Sequence, residues 1–211
     1  MTESDKRLLS KLFDGQRSIT YNRGETICKQ GAIANQLMRI TSGFAKIYIE
    51  HKGKNIILRI IRSNDIIGLH NLFHNQYFNF SATAITSCQV QSITSDELNA
   101  VFTKESTNFA AVIAHINEYA AGYFKRFISL TQKQVHGRLA DAILHLSEDV
   151  YQSSSFELHL TRKDIAEYTG MSTESVIRII KEFHNDKIIE LDGKTLTIKS
   201  MKLLQKLSDL G

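Results

Sequence analysis

Glu174 and Arg178 stand four residues apart in the stretch Thr173-Glu174-Ser175-Val176-Ile177-Arg178. On a helix that spacing stacks the two side chains on one surface, where each can hold the other extended. The pair carries two complementary chemistries. A guanidinium can donate two bonds to O6 and N7 of guanine, and a carboxylate can accept from N4 of cytosine, so together they can read a G·C step. An ordinary surface ion pair has the same spacing, and the setting decides between the two. Thr173, Ile177 and Lys181 fall on the same outward face, while Val176, Ile179, Ile180 and Phe183 recur at helical spacing on the opposite, inward one.

The elements that must position this face are legible on either side of it. Thr161 with Asp164 three residues on has the pattern of a capping box and predicts the start of a preceding helix, in which Ile165 and Ala166 face inward. Gly170 falls where the chain must turn sharply between two crossing helices, and Ser172 is a natural cap for the second. Beyond that helix, Ile188 to Leu191 and Thr195 to Ile198, joined through Asp192-Gly193, predict a β-hairpin wing. Residues 161 to 191 therefore read as a helix-turn-helix followed by a wing. Thr161, Arg162, Lys163, Ser172, Lys181 and Lys194 are its candidate phosphate contacts. Bulk charge does not help them. Residues 132 to 211 hold 11 Lys/Arg against 12 Asp/Glu, whereas residues 1 to 131 hold 15 against 10. Phosphate binding has to come from locally placed cations rather than from a basic domain.

The 211 residues and 42% apolar content suit two domains with a core each. Residues 4 to 13 predict a short amphipathic helix carrying Leu8, Leu9, Leu12 and Phe13, stopped by Asp14-Gly15. From Tyr21 short apolar or alternating runs are broken by glycines at 24, 31, 43, 53 and 68. Phe44 to Glu50 and Asn55 to Ile61 pair across Lys52-Gly53-Lys54, and Phe80 to Thr86 and Cys88 to Ile93 add strands. Strands at such regular spacing predict a double-sheet jelly roll. Thr94 with Glu97 opens a short helix through Leu98, Val101 and Phe102.

Phe109, Ile113, Ile116, Ala120, Tyr123, Phe127 and Leu130 then alternate in steps of four and three, as in a coiled-coil seam for a second copy of the chain. Val112, Tyr119, Phe124 and Ile128 occupy a neighbouring face that would pack on the chain's own roll. Thr131 to Gln134 is the expected hinge, followed by a helix with Val135, Leu139, Ile143, Leu144 and Leu146 inward. The fold expected is α+β, with a sensory domain over 1–104, a dimerisation helix over 105–131 and a DNA-binding domain over 132–211.

Other chemistries find little support. Cys28 and Cys88 are too few for a disulfide framework or a cysteine-ligated cluster and read as buried, reduced thiols. A metal-dependent enzyme built on the double-sheet roll would need clustered His and carboxylate ligands; no His-x-His occurs, and His70-x-x-x-His74 lacks a Glu beside its first His. No apolar run reaches the length of a membrane helix, and the first residues do not read as a signal peptide, so the expected location is the cytoplasm.

A glycine-punctuated roll, a long helix and a winged helix-turn-helix, in that order, resemble the Crp/Fnr family of bacterial transcription regulators. The resemblance is carried by Arg23-Gly24-Glu25 with Gln30-Gly31, Ser42-Gly43, Asp65-Ile66-Ile67-Gly68 with Leu72-Phe73, Gly137-Arg138-Leu139-Ala140 and Glu174-Ser175-Val176-Ile177-Arg178. It covers nearly the whole chain. It implies a homodimer on a pseudo-palindromic operator in double-stranded DNA, contact with RNA polymerase, and base reading by Thr173, Glu174, Ile177 and Arg178. Family members often have Ser or Gly where this chain has Ile177, which can instead touch a thymine methyl.

The chain departs from the cyclic-nucleotide-binding members. Leu69 stands where they carry a Glu for the ribose, and Phe78 and Asn79 fall near their phosphate-binding Arg-Ser pair. No Lys or Arg occurs between Arg62 and Lys104, and no Glu between Glu50 and Glu97. A buried phosphate without a cation would need unusual backbone compensation. No cofactor is expected. Gly68, Leu69, His70, Phe78 and Ser81 would line any effector pocket, haem on His70 and His74 being one alternative and a small apolar ligand among Phe73, Tyr77, Phe78 and Phe80 another.

Overall fold

The computed structural model describes residues 9–71, 76–98 and 107–211, with the backbone alone at 70 and 107–109. The chain divides into two compact units, one made of Met1–Lys54 and Arg59–Tyr123, the other of Asn55–Leu58 and Phe124–Gly211.

In the first unit eight strands are described: β1 (Ser18–Tyr21), β2 (Thr26–Cys28), β3 (Gln36–Ser42), β4 (Ala45–His51), β5 (Lys54–Ile61), β6 (Ile66–Ile67), β7 (Ser81–Ala84) and β8 (Cys88–Thr94). They form two four-stranded sheets in the orders β1-β8-β3-β6 and β2-β7-β4-β5, the double-sheet roll that the glycine spacing predicts. Alternation along β3 shows how the layers arise. Met38 and Ile40 enter the core between the sheets with Ile47, Ile61, Phe78, Phe80, Cys88 and Val90. Leu37, one residue over, faces the other way and packs with Leu9, Leu12, Phe13, Ile66, Leu69, Ala111 and Val112. The amphipathic N-terminal segment and the long helix thus cover one outer face of the roll. Its Leu8 lies outside the described residues, as do Val101 and Phe102. Thr94 and Glu97 make the expected capping box, with Thr94 Oγ1 accepting from the Glu97 amide at 3.3 Å and Glu97 Oε2 accepting from the Thr94 amide at 2.9 Å. Cys28 and Cys88 are both buried and free.

The long helix α1 (Thr107–Gln132) corrects the expected seam. Ile116 is half-buried against the roll's outer core, Tyr123 is half-buried near Arg59, and Leu130 approaches Gly170 in the second unit. Phe124 and Ile128, expected to face the chain's own roll, are instead 69% and 53% exposed, beside Ile113 at 56% and Phe127 at 66%. Of the predicted seam Ile113 and Phe127 are exposed on this outward stripe, Ala120 is half-buried, and the side chain of Phe109 lies outside the described residues. A strict heptad drifts by about 20° per repeat on a straight helix. Periodicity alone therefore located an apolar helix without saying which of its two stripes the roll would take. The boundary between the units falls within α1, after Tyr123. Ala111, Val112 and Tyr119 are buried in the first unit, whereas Arg126 and Leu130 meet residues of the second.

Tyr119 also closes a sheet. β6 is an edge strand, and the backbone of Ile66 that faces away from β3 meets the Tyr119 hydroxyl, which donates to the Ile66 carbonyl at 3.0 Å and accepts from its amide at 3.3 Å. His115 Nε2 lies 2.6 Å from the same oxygen, and the Arg59 guanidinium sits 3.6 Å over the ring while reaching Asp65 at 3.4 Å.

The second unit holds α2 (Val135–His145), a π-helical turn (Leu146–Val150), β9 (Ser155–Glu157), α3 (Arg162–Thr169), α4 (Thr173–Asn185), β10 (Ile189–Asp192), β11 (Thr195–Ile198) and α5 (Met201–Leu210). The expected hinge shrinks to Lys133 and Gln134, because α1 runs on through Gln132. Lys133 Nζ is tied to Asp141 Oδ1 at 2.8 Å and to the Ser208 carbonyl at 2.6 Å, which anchors the start of α2 to α5. No helix among the described residues is long and apolar enough to cross a membrane.

Candidate nucleic-acid interface

α3 begins where its capping box places it. Thr161 Oγ1 accepts from the Asp164 amide at 3.0 Å, and Asp164 Oδ2 accepts from the Thr161 amide at 2.9 Å. Ile165, Ala166, Tyr168 and Thr169 bury one face. Gly170 ends the helix in the left-handed region, at φ 64° and ψ 37°, with its amide donating to Ala166. A side chain there would be strained, and its Cβ would stand 3.0 Å from Leu130 Cδ2. Arg138, from the Gly-Arg-Leu-Ala stretch, completes the turn: its Nη1 donates to the carbonyls of Thr169 at 3.4 Å and Gly170 at 3.2 Å, a cation on the negative end of a helix. Arg126 does the same from α1, donating to the Tyr168 carbonyl while lying 4.1 Å over its ring.

This turn launches α4. Ser172 caps it, accepting from the Ser175 amide at 3.2 Å, and Val176, Ile179, Ile180 and Phe183 fill the inward face. That leaves Glu174, Ile177, Arg178 and Lys181 exposed on the other side, with Thr173 half-buried in the first turn. Thr161, Lys163 and Ser172 are exposed as well. Lys163 stands 3.8 Å from Glu167, and Arg162 is half-buried, which lowers its pKa from the ordinary guanidinium value. In the wing Asp192 pairs with Thr195, so the loop is Gly193-Lys194, one residue later than expected, and Lys194 stands exposed there. β9 adds a third strand, Phe156 pairing with Leu196.

One expected contact is not formed. Arg178 donates not to Glu174 but to Glu182, Nη1 to Oε1 at 2.6 Å. Glu174 is otherwise engaged: its carboxylate accepts from its own backbone amide and from Ser172, and these bonds hold its pKa below the usual carboxylate value. Glu182 is also bonded, through Oε2, to His136 Nε2 of α2 at 2.7 Å. The His136 bond first, and Arg178 next, hold the Glu182 carboxyl below its usual range. Sequence reasoning missed both partners. Glu182 was visible as a second acid four residues from Arg178; His136, 46 residues from Glu182, gave no signal.

Of the candidate effector residues of the roll, Gly68 and Phe78 are neighbours, while Leu69 and Phe78 enter different cores. Leu69 is buried in the outer core and Phe78 in the core between the sheets. Ser81 is buried, with its hydroxyl accepting from the Gln30 amide at 3.0 Å. Gly68 backs onto Leu37 and Phe78. Phe80 packs edge-on against Phe78, and Tyr77 is exposed. Phe73, His74 and the side chain of His70 lie outside the described residues.

Comparison with known proteins agrees with this architecture. Residues 18–105 match the cyclic nucleotide-binding domain model and residues 137–207 the Crp-like helix-turn-helix domain model. The chain is 26% identical to the fumarate and nitrate reduction regulatory protein of Vibrio cholerae over 218 residues, covering 100% of this chain and 85% of that one. It is 27% identical to electron transport regulator A of Shewanella oneidensis over 190 residues, 87% of this chain and 75% of that one. Among solved structures, FixK2 from Bradyrhizobium japonicum superposes with a TM-score of 0.84 at 18% identity, covering 91% of this chain and 96% of that one. The c-di-GMP responsive global regulator CLP of Xanthomonas campestris gives 0.78 at 18% identity, over 92% and 99%.

Proposed function

The chain belongs to the Crp/Fnr family and is a DNA-binding transcriptional regulator, and we propose that it acts as a homodimer on a pseudo-palindromic operator. The observation that carries the reading is α4, whose apolar face is consumed by its own unit while Glu174, Ile177 and Arg178 stand outward. Two such helices would enter successive major grooves about 34 Å apart. The outward stripe of α1 would hold the pair together. Thr161, Arg162, Lys163, Ser172, Lys181 and Lys194 are the phosphate contacts, and Thr173, Glu174, Ile177 and Arg178 read bases. In the cell the protein works in the cytoplasm, at its operators, where it meets RNA polymerase; it performs no reaction of its own.

Selection of bound sites from random double-stranded DNA tests this reading directly. An inverted repeat with half-site centres one helical turn apart is expected. Arg178→Ala should cost about 1–3 kcal/mol on the selected operator and relax the preference at one G·C pair. Unchanged binding would sink the assignment of Arg178.

The roll is the sensory part, and we propose that its signal is not a cyclic nucleotide. Leu69, which matches the position where the cyclic-nucleotide-binding members carry a Glu for the ribose, is buried in the outer core, and residues 63 to 103 hold no Lys or Arg. Titration calorimetry of the full chain with cyclic AMP or cyclic GMP should show no binding at micromolar ligand, and a micromolar dissociation constant would overturn this.

A further inference from the structure

We propose that Glu182 and His136 are positioning residues for Arg178, which fix its guanidinium by Nη1 and present Nε and Nη2 to guanine, so that they set how strictly the operator is read. This rests on the reading that Arg178 contacts a base.

Three observations lead there. Arg178 has an acid four residues away on each side, and on an isolated helix the favoured partner is the acid on its N-terminal side, Glu174. The bond is made in the opposite direction, to Glu182. Glu174 is held at the start of α4 by its own amide and Ser172, and His136 of α2 takes one carboxylate oxygen of Glu182 and leaves the other aimed at Arg178. Second, each oxygen of Glu182 has a separate partner, so the carboxylate is held from two elements at once and its rotamer is set before DNA arrives. Third, the side chains of Arg178, Glu182 and His136 are all partly exposed, and ion pairs of that kind contribute little to stability. A guanidinium has five donors, so engaging one nitrogen leaves an edge able to make the paired bonds to O6 and N7. Fixing the side chain in advance removes a share of the ordering entropy of docking from the correct base and leaves no gain for a wrong one. A carboxylate beside DNA would otherwise repel phosphate; here its charge is shared between a guanidinium and an imidazole.

The test uses the full chain, its selected operator, and the same operator with the guanine facing Arg178 changed to adenine in both half-sites, with dissociation constants from fluorescence anisotropy. Glu182→Ala is expected to lower the guanine-over-adenine ratio about tenfold by weakening the guanine site, with the adenine site within about twofold. His136→Ala should move the ratio in the same direction by less. His136→Gln, whose amide can still donate to Glu182, should restore it. In an Arg178→Ala background, Glu182→Ala should no longer change the ratio. Equal loss on both operators would mean a merely structural residue, a gain on both would mean simple repulsion of DNA, and an unchanged ratio would mean no role; each overturns the inference. If Arg178→Ala alone leaves the ratio unchanged, the base-reading assignment is what has failed.

Discussion

Phe124→Glu with Phe127→Glu should turn the protein into a monomer that binds its operator on the order of a hundredfold more weakly, the usual loss when two linked binding modules become independent. The two rings are 69% and 66% exposed, so the substitutions take nothing from the fold of the single chain. In a two-fold interface each position counts twice, which puts four rings at the seam. Burying each contributes about 2 kcal/mol, and four carboxylates in the same place add unpaired charge. Sedimentation of the variant should give a single species of 23.9 kDa with an unchanged circular-dichroism spectrum. A variant that still sediments as a dimer would remove the α1 stripe from the assembly. If instead it is a monomer with undiminished operator affinity, the proposal of paired recognition helices falls.

The stripe marks where the sequence could be read and where it could not. The helix-turn-helix is local: Thr161 with Asp164, Gly170, Ser172 and the spacing of Val176, Ile179, Ile180 and Phe183 lie within one short run, and each acts on its immediate neighbours. All of these stand in the structure as expected. α1 was legible as an apolar helix, but it carries two apolar stripes, and the choice between them depends on a roll folded from distant residues. Phe124 and Ile128 went to the wrong side for that reason. Arg178 shows the same limit on a smaller scale. Spacing favoured Glu174 over Glu182, yet the bond is made to Glu182, which is also bonded to a histidine of another helix. In the wing, the hairpin was legible and its loop was displaced by one residue, because Asp192 and Gly193 both favour turns and only the pairing with β11 shows that Asp192 stays in the strand.

Tyr119→Phe should cost the first unit about 3 kcal/mol, although it removes a single oxygen. The Ile66 amide and carbonyl both use that hydroxyl and lie on the edge of a sheet, where no further strand stands ready to replace it. His115 is bonded to the same atom within the buried cluster. The ring itself survives in phenylalanine, so the stacking of Arg59 is kept and the loss belongs to the hydroxyl. Tyr119→Ala gives up the stacking as well and should cost about 5 kcal/mol. Urea unfolding of the full chain followed by circular dichroism measures both. Hydrogen exchange locates the effect: in Tyr119→Phe the Ile66 amide should exchange much faster while amides of the central strands, such as that of Val90 in β8, change only with global stability. Equal protection of Ile66 in both proteins would show that the hydroxyl does not close the edge. The network joins residues more than fifty positions apart, so no periodicity along the chain could have announced it. Its consequence is that the first half of α1 is fixed to the roll by the bonds of the Tyr119 hydroxyl to the Ile66 backbone as well as by apolar packing. A shift of β6 would therefore move Tyr119, and with it the part of α1 that packs on the roll.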